Sequence, residues 1–213
     1  FYFYAETAKD GSWSSNYVDL YIRDWSKNQV NAGSGDDTIT LTGTVESNTF
    51  DNSWYSGFRG EGKGYGRIYG EDGNDTIDAS KASAAFELNG GAGDDIIYGA
   101  QEFTNTIYGG TGNDTILFSK GELASNRWSY VYGGAGDDTI TSSTTLGATN
   151  TTIYGGFGDD IINAGDGDYR IYGDNNYYYY WYYYGEIEDS GNDTITAGGL
   201  SLIHISEPTR RRT

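Results

Sequence analysis

The chain has 213 residues, 31 of them acidic and 13 basic, for a formal net charge of -18; it holds 33 glycines, one proline and no cysteine. That balance excludes nucleic acid, whose phosphates are held through clustered Lys and Arg, and the missing cysteines exclude disulfides and thiolate metal sites. No apolar run reaches the length of a membrane span, so no membrane insertion is expected.

Residues 1–29, opening FYFYAETAKDGSW, are aromatic and strand-like from Tyr17 to Trp25, and are expected to form an N-terminal cap or docking segment. With no initiator Met, the chain reads as processed or as a fragment. A repeat begins at Val30 with VNAGSGDDTI. It continues with IYGEDGNDTI at Ile68, LNGGAGDDII at Leu88, IYGGTGNDTI at Ile107, VYGGAGDDTI at Val131 and IYGGFGDDII at Ile153; a seventh copy is split between IYG at Ile171 and SGNDTI at Ser190. The matching aspartates, Asp37, Asp75, Asp95, Asp114, Asp138, Asp160 and Asp193, lie 38, 20, 19, 24, 22 and 33 residues apart. A period of about twenty residues means stacked coils rather than a globule. The first interval equals two periods and predicts a degenerate coil over Val45 to Lys63. The last contains NNYYYYWYYYGEIED, predicted to protrude over 175–189, where Tyr177 to Tyr184 would form an apolar contact patch. The end of the chain, LSLIHISEPTRRRT over 200–213, leaves the repeat, resembles the translation of a sequencing adapter and is read as an artefactual tail outside the fold.

Within one unit, Asp95 to Tyr98 reads as a short strand, Gly99 to Asn105 as a turn and Thr106 to Tyr108 as a second strand. Two strands and two turns close a flat coil. The predicted fold is therefore all-β, a parallel β-roll or β-solenoid with about 18–20 residues per coil and its glycine-aspartate turns stacked mainly along one edge, over 30–199. Its core is a ladder of Ile39, Ile77, Ile97, Ile116, Ile140, Ile162 and Ile195 facing Ile68, Leu88, Ile107, Val131, Ile153 and Ile171. Tyr69, Tyr108, Tyr132, Tyr154 and Tyr172 follow the inward aliphatics and are expected to stack outside, as a cover for the sheet or as an aromatic face for a sugar or another subunit.

Glycines before an aspartate suit a turn that aims its carbonyls at one point, because glycine takes positive φ without a Cβ penalty. Hard cations such as calcium are held by six to eight carboxylate and carbonyl oxygens. The candidate metal ligands are the seven aspartates above, with the turn glycines Gly33, Gly35, Gly73, Gly91, Gly93, Gly110, Gly112, Gly134, Gly136, Gly156, Gly158 and Gly191. Each gap between stacked turns becomes an oxygen-lined slot for Ca2+, up to about six ions in all. No catalytic residue is expected: the sole histidine, His204, lies in the tail, and nothing opposes two carboxylates across a cleft.

This pattern resembles the RTX (repeats-in-toxin) nonapeptide GGxGxDxUx, where U is a large aliphatic. Gly109, Gly110, Gly112, Asp114 and Ile116 match every fixed position, as do Gly90, Gly91, Gly93, Asp95 and Ile97; Gly133 to Ile140 and Gly155 to Ile162 are equally complete, while Ala32 and Glu71 stand where glycine is expected. The resemblance implies a calcium-bound β-roll of a secreted bacterial protein, unfolded in the cytoplasm, exported by type I secretion and folding outside. Most coils here carry the motif once, so one column of ions is expected along one edge, with Ala164 to Tyr169 the only candidate exception on the other. The NDT sequons at Asn74, Asn113 and Asn192 are expected to be buried in metal turns, leaving Asn150, in the opposite turn, as the better glycosylation candidate. The expected role is structural, with self-association, head-to-tail, into a fibre or surface layer, and a polysaccharide or cell surface as further partner. The alternative is a calcium-dependent C-terminal secretion and folding module of a secreted enzyme or adhesin.

Overall fold

The computed structural model describes residues 3–4, 28–44, 65–83, 85–100, 105–118, 129–142, 148–174, 191–198 and 202–203. Among these it forms sixteen strands: β1 (Phe3–Tyr4), β2 (Asn28–Ser34), β3 (Thr38–Thr44), β4 (Tyr65–Asp72), β5 (Thr76–Ser83), β6 (Ala85–Ala92), β7 (Ile96–Tyr98), β8 (Asn105–Thr111), β9 (Thr115–Phe118), β10 (Ser129–Ala135), β11 (Thr139–Ser142), β12 (Ala148–Phe157), β13 (Ile161–Ala164), β14 (Gly167–Asp174), β15 (Thr194–Ala197) and β16 (Leu202–Ile203). After β1, even-numbered strands build one sheet and odd-numbered strands the other, in the orders β1-β2-β4-β6-β8-β10-β12-β14-β16 and β15-β13-β11-β9-β7-β5-β3. Neighbours pair in parallel, as a chain that winds without reversing must do. The fold is the all-β parallel solenoid that the repeat predicts.

Strand identity follows from alternation. In TILF, Ile116 and Phe118 turn inward while Thr115 and Leu117 face out. Register keeps like residues together: Leu88 lies beside Ile107, Ile107 beside Val131 and Val131 beside Ile153, with Ile97, Ile116 and Ile140 aligned on the other sheet. All seven of these aliphatic side chains are fully buried. Phe86 and Phe118 widen the core. Truncating one rung, Ile116→Ala, is expected to cost ~2–5 kcal/mol, read by urea unfolding in saturating calcium; a loss below about 1 kcal/mol would show that the thin core collapses around the gap.

The pairing corrects three expectations. No degenerate coil separates the first two repeats, because Val30 pairs with the Ile68 rung and Ile39 with Ile77 directly; residues 45–64 are an insertion between adjacent coils and lie outside the described residues. The tail is not wholly outside the fold, since Leu202 and Ile203 add a strand beside Arg170 and Ile171. The tyrosine ladder omits Tyr69: Asn89 occupies the rung between Tyr69 and Tyr108, and the Tyr69 hydroxyl donates instead to Glu87 Oε1 at 2.9 Å. Glu87 also meets Arg67 at 3.3 Å.

Tyr108, Tyr132, Tyr154 and Tyr172 do stack, with centroids 5.0, 5.0 and 4.9 Å apart and planes within 10°. Both faces of Tyr132 and Tyr154 are thus taken by neighbouring rings, which favours the covering role and leaves no open face there for a sugar. Phe3 and Tyr4 pair with Val30 and Asn31; the rest of the expected cap or docking segment up to Lys27, with Tyr17 to Trp25, and the patch Tyr177 to Tyr184 lie outside the described residues.

Candidate metal centre

All seven aspartates fall in one column along one edge, where the even-numbered strands of the larger sheet hand over to the odd-numbered strands. In the unit at Ile107, Gly110 and Gly112 have φ of 127° and 120°, and a Cβ on either would collide with the carbonyls of Gly91 and Gly93 in the coil before. Positive φ recurs at Gly33, Gly35, Gly73, Gly91, Gly93, Gly134, Gly136, Gly156 and Gly158. Gly191 is not among the positive-φ residues; what constrains it is contact with the Gly158 carbonyl. Carbonyls at the second and fourth positions of each motif therefore point along the stack at the next turn.

Two columns of hydrogen bonds then lock the turns together. In the inner column each repeat aspartate's amide donates to Oδ1 of the next: Asp37 to Asp75 (2.7 Å), Asp75 to Asp95 (2.7 Å), Asp95 to Asp114 (2.8 Å), Asp114 to Asp138 (2.7 Å), Asp138 to Asp160 (2.9 Å) and Asp160 to Asp193 (3.0 Å). Six gaps are therefore contiguous, and neither insertion interrupts them. The outer column runs the other way, each amide donating to the preceding side chain through Asp36, Asn74, Asp94, Asn113, Asp137, Asp159 and Asn192 at 2.7 to 2.9 Å. The sequence reading missed this column. It also misplaced the sequon asparagines, because Asn74, Asn113 and Asn192 are exposed: the side-chain oxygens of Asn74 and Asn113 accept from the next turn, and the side-chain nitrogen of Asn192 faces Asp159 Oδ1 at 3.5 Å. Asn150 sits in strand β12 rather than in a turn.

One oxygen is left over in every buried carboxylate. Oδ2 of Asp37, Asp75, Asp95, Asp114, Asp138 and Asp160 is buried without a hydrogen-bond partner. At Asp114 this oxygen lies against Gly109, close to the carbonyl of Gly133 in the following coil; the same pair recurs at Gly70, Gly90, Gly133 and Gly155. Burial, together with the neighbouring carboxylates, raises the carboxyl of Asp75 and Asp95 from 3.8 to about 6, Asp114 and Asp160 to about 7 and Asp138 to about 8, against the lowering effect of the amide hydrogen bonds. Asp37 and Asp193, at the ends, are raised for the same leading reason. An orphaned anionic oxygen at each level asks for a cation. Among the described residues no three His, Cys, Asp or Glu side chains form a metal-binding group, so an ion here must draw on carbonyls as well. That is a hard, all-oxygen donor set, which fits calcium.

The model of the RTX calcium-binding nonapeptide repeat (4 copies) matches residues 24–42, 64–81, 87–103, 100–117, 129–143 and 146–177, together more than half of the chain. The chain belongs to the RTX calcium-binding repeat family. No curated protein and no solved structure matches it.

As an RTX roll it departs from the repeat in two places that the structure explains. On the opposite edge, Tyr169 stands two residues before the inward Ile171, where the motif would place its aspartate; it is buried, and its hydroxyl shares a 2.7 Å hydrogen bond with Ser142 Oγ. The stretch from Ala164 to Tyr169 therefore has an aromatic plug where a second-edge carboxylate would stand. In the second RTX turn Glu71 takes the glycine place and holds φ at +80°, the only non-glycine residue with positive φ among those described. Relieving that strain, Glu71→Gly is expected to stabilise the calcium-loaded protein by about 1 kcal/mol, measured by urea unfolding. Destabilisation would mean that the Glu71 carboxylate contributes more than its backbone costs.

Proposed function

We propose that this chain is an extracellular structural β-roll that folds on calcium, with the ions held in the gaps between turns by the repeat aspartates and the carbonyls of the turn glycines. The observation that carries this is the column of buried Oδ2 atoms without partners. A carboxylate desolvated in that way needs a cation, and the ion stabilises the folded state alone. Family membership supports secretion from a bacterium by a type I channel, with folding deferred until the chain meets calcium outside. The role is structural rather than catalytic.

Self-association into a fibre or surface layer is the finer form of this proposal. It is supported by the smaller sheet, which ends at β3 and β15 with no further described strand beyond either; open edges recruit strands, and head-to-tail contacts that do not close give filaments. The second reading, a folding and secretion module of a larger secreted enzyme or adhesin, draws on β1 and β16, which lie over both ends of the larger sheet. Electron microscopy of the full chain in millimolar calcium separates them. Filaments that disperse on chelation are expected for the fibre, whereas monodisperse folded particles would overturn self-association and leave the module.

A further inference from the structure

The two sheets turn different faces outward. On the larger one the tyrosine ladder covers the sheet, and Arg67 and Glu87 form an ion pair at 3.3 Å. On the smaller one each strand presents the two residues that flank its inward isoleucine, from Thr38 and Thr40 in β3 to Thr194 and Thr196 in β15. Parallel register lines them up in two straight columns. Eight of these positions hold threonine and the others hold Ile96, Tyr98, Leu117, Ile161, Asn163 and Asp78; none of them is buried.

Three of the four exposed large hydrophobic side chains among the described residues stand on this face, Ile96 at 39%, Leu117 at 36% and Ile161 at 45%. Tyr98 lies beside Leu117 on the neighbouring strand and widens the apolar area. The face is also almost without charge, in a chain whose formal net charge is -18. Asp78 is the only charged residue at these positions, and its Oδ1 already accepts from the amide and the hydroxyl of Ser80, at 2.9 and 2.6 Å.

A parallel sheet is ordinarily covered on both faces, and a contiguous apolar face left in water marks a contact. Charge decides which partner fits it. A basic partner would be drawn to the acidic turn edge rather than to a neutral sheet. Two copies of an acidic chain repel across most of their surface, and the larger sheet is already covered by its own tyrosines, so the neutral face is where copies can meet.

We propose that the outer face of the smaller sheet docks on the same face of a second copy of this chain, giving a side-by-side pair of rolls related by a two-fold axis. This names a surface for the self-association proposed above, separate from the open strand edges, and it rests on that calcium-loaded reading because bare carboxylates would hold two copies apart. The two sheets would pack ~10 Å apart with their side chains interdigitated. Seven strands spaced ~4.8 Å make a face about 30 Å long, and three or four residues make it about 10–13 Å wide. Its projected area, roughly 300–400 Å2 per copy, is below the ~800 Å2 per partner of a standard interface, so the dimer is a weak one that forms with rising concentration.

The test is sedimentation velocity of the full chain over a concentration series in millimolar calcium, with circular dichroism to confirm folding. Wild type is expected to pass from monomer to dimer. Leu117→Lys and, separately, Ile161→Lys are each expected to weaken dimerisation by at least about tenfold, because a lysine in the contact must be desolvated, even though each lowers the net negative charge. Both side chains face solvent in the single roll, and either variant serves should the other fail to fold. Tyr130→Lys is the control, at a side chain equally exposed at 36% on the larger sheet, and is expected to leave dimerisation unchanged. Association indifferent to Leu117→Lys and Ile161→Lys would overturn this inference and leave self-association through the open edges, as would equal weakening by Tyr130→Lys. A folded wild type that stays monomeric at every concentration would overturn self-association as well, leaving the face to a different macromolecule or to solvent.

Discussion

Removing calcium at pH 8 is expected to abolish the β signal of this protein in far-ultraviolet circular dichroism. Five carboxyls that titrate near 3.8 in an unfolded chain are raised in the roll to about 6, 6, 7, 8 and 7, chiefly by burial. Each pH unit between the two states is worth ~1.4 kcal/mol. Holding these carboxylates ionised without a cation therefore opposes folding of a domain whose stability is ordinarily only ~5–15 kcal/mol, and the net charge of -18 adds self-repulsion. The sign of the pH dependence follows. Because the folded values lie above the unfolded ones, the metal-free roll binds more protons than the unfolded chain, so its stability is fully present below about pH 4 and is lost as pH rises through about 6 to 8. Acidifying the chelated protein from pH 8 to about 4 should therefore bring β structure back, the reverse of ordinary acid denaturation. A β signal that persists in chelator at pH 8 would show that the column is stable without cations.

Asp114→Ala should be nearly as damaging, and on both sides of its coil. The substitution leaves the Asp95 amide without its 2.8 Å acceptor, at a cost of ~1–3 kcal/mol for a buried unpaired donor. It also deletes the Oδ2 that faces the gap toward Gly133. Two adjacent ions are expected to be lost and the calcium midpoint to rise several-fold. Asp168→Ala, at an exposed aspartate near the other edge, should leave both the count and the midpoint alone. Equal loss in the two variants would sink the one-edge arrangement.

The column and its core could be read from the sequence because each coil must restate them. A glycine whose Cβ would strike the coil before, or an isoleucine that fills one rung, is demanded anew at every level, so periodicity exposes it. Length between repeats carries less. The 38 residues from Asp37 to Asp75 suit two coils as well as one coil with an insertion, and only the register of Val30 on Ile68 decides between them. Tyr169 was legible in principle, since counting back two residues from Ile171 finds a tyrosine where an aspartate should stand. The outer Asp and Asn column was hidden because either side chain offers the same oxygen to the next amide, and mixed identity at one position looks like variation rather than constraint.

The connections at the two edges are under different rules. Away from the aspartates, the chain crosses between sheets with one residue between β5 and β6, two between β13 and β14 and twenty between β3 and β4, yet the rungs on either side stay aligned. Since longer loops add little closure entropy, that edge tolerates cargo of almost any length. The roll is in this respect a display scaffold: foreign peptides grafted between β9 and β10 or between β11 and β12 would be presented in a row, at heights fixed by the coil spacing, and calcium would switch the display on.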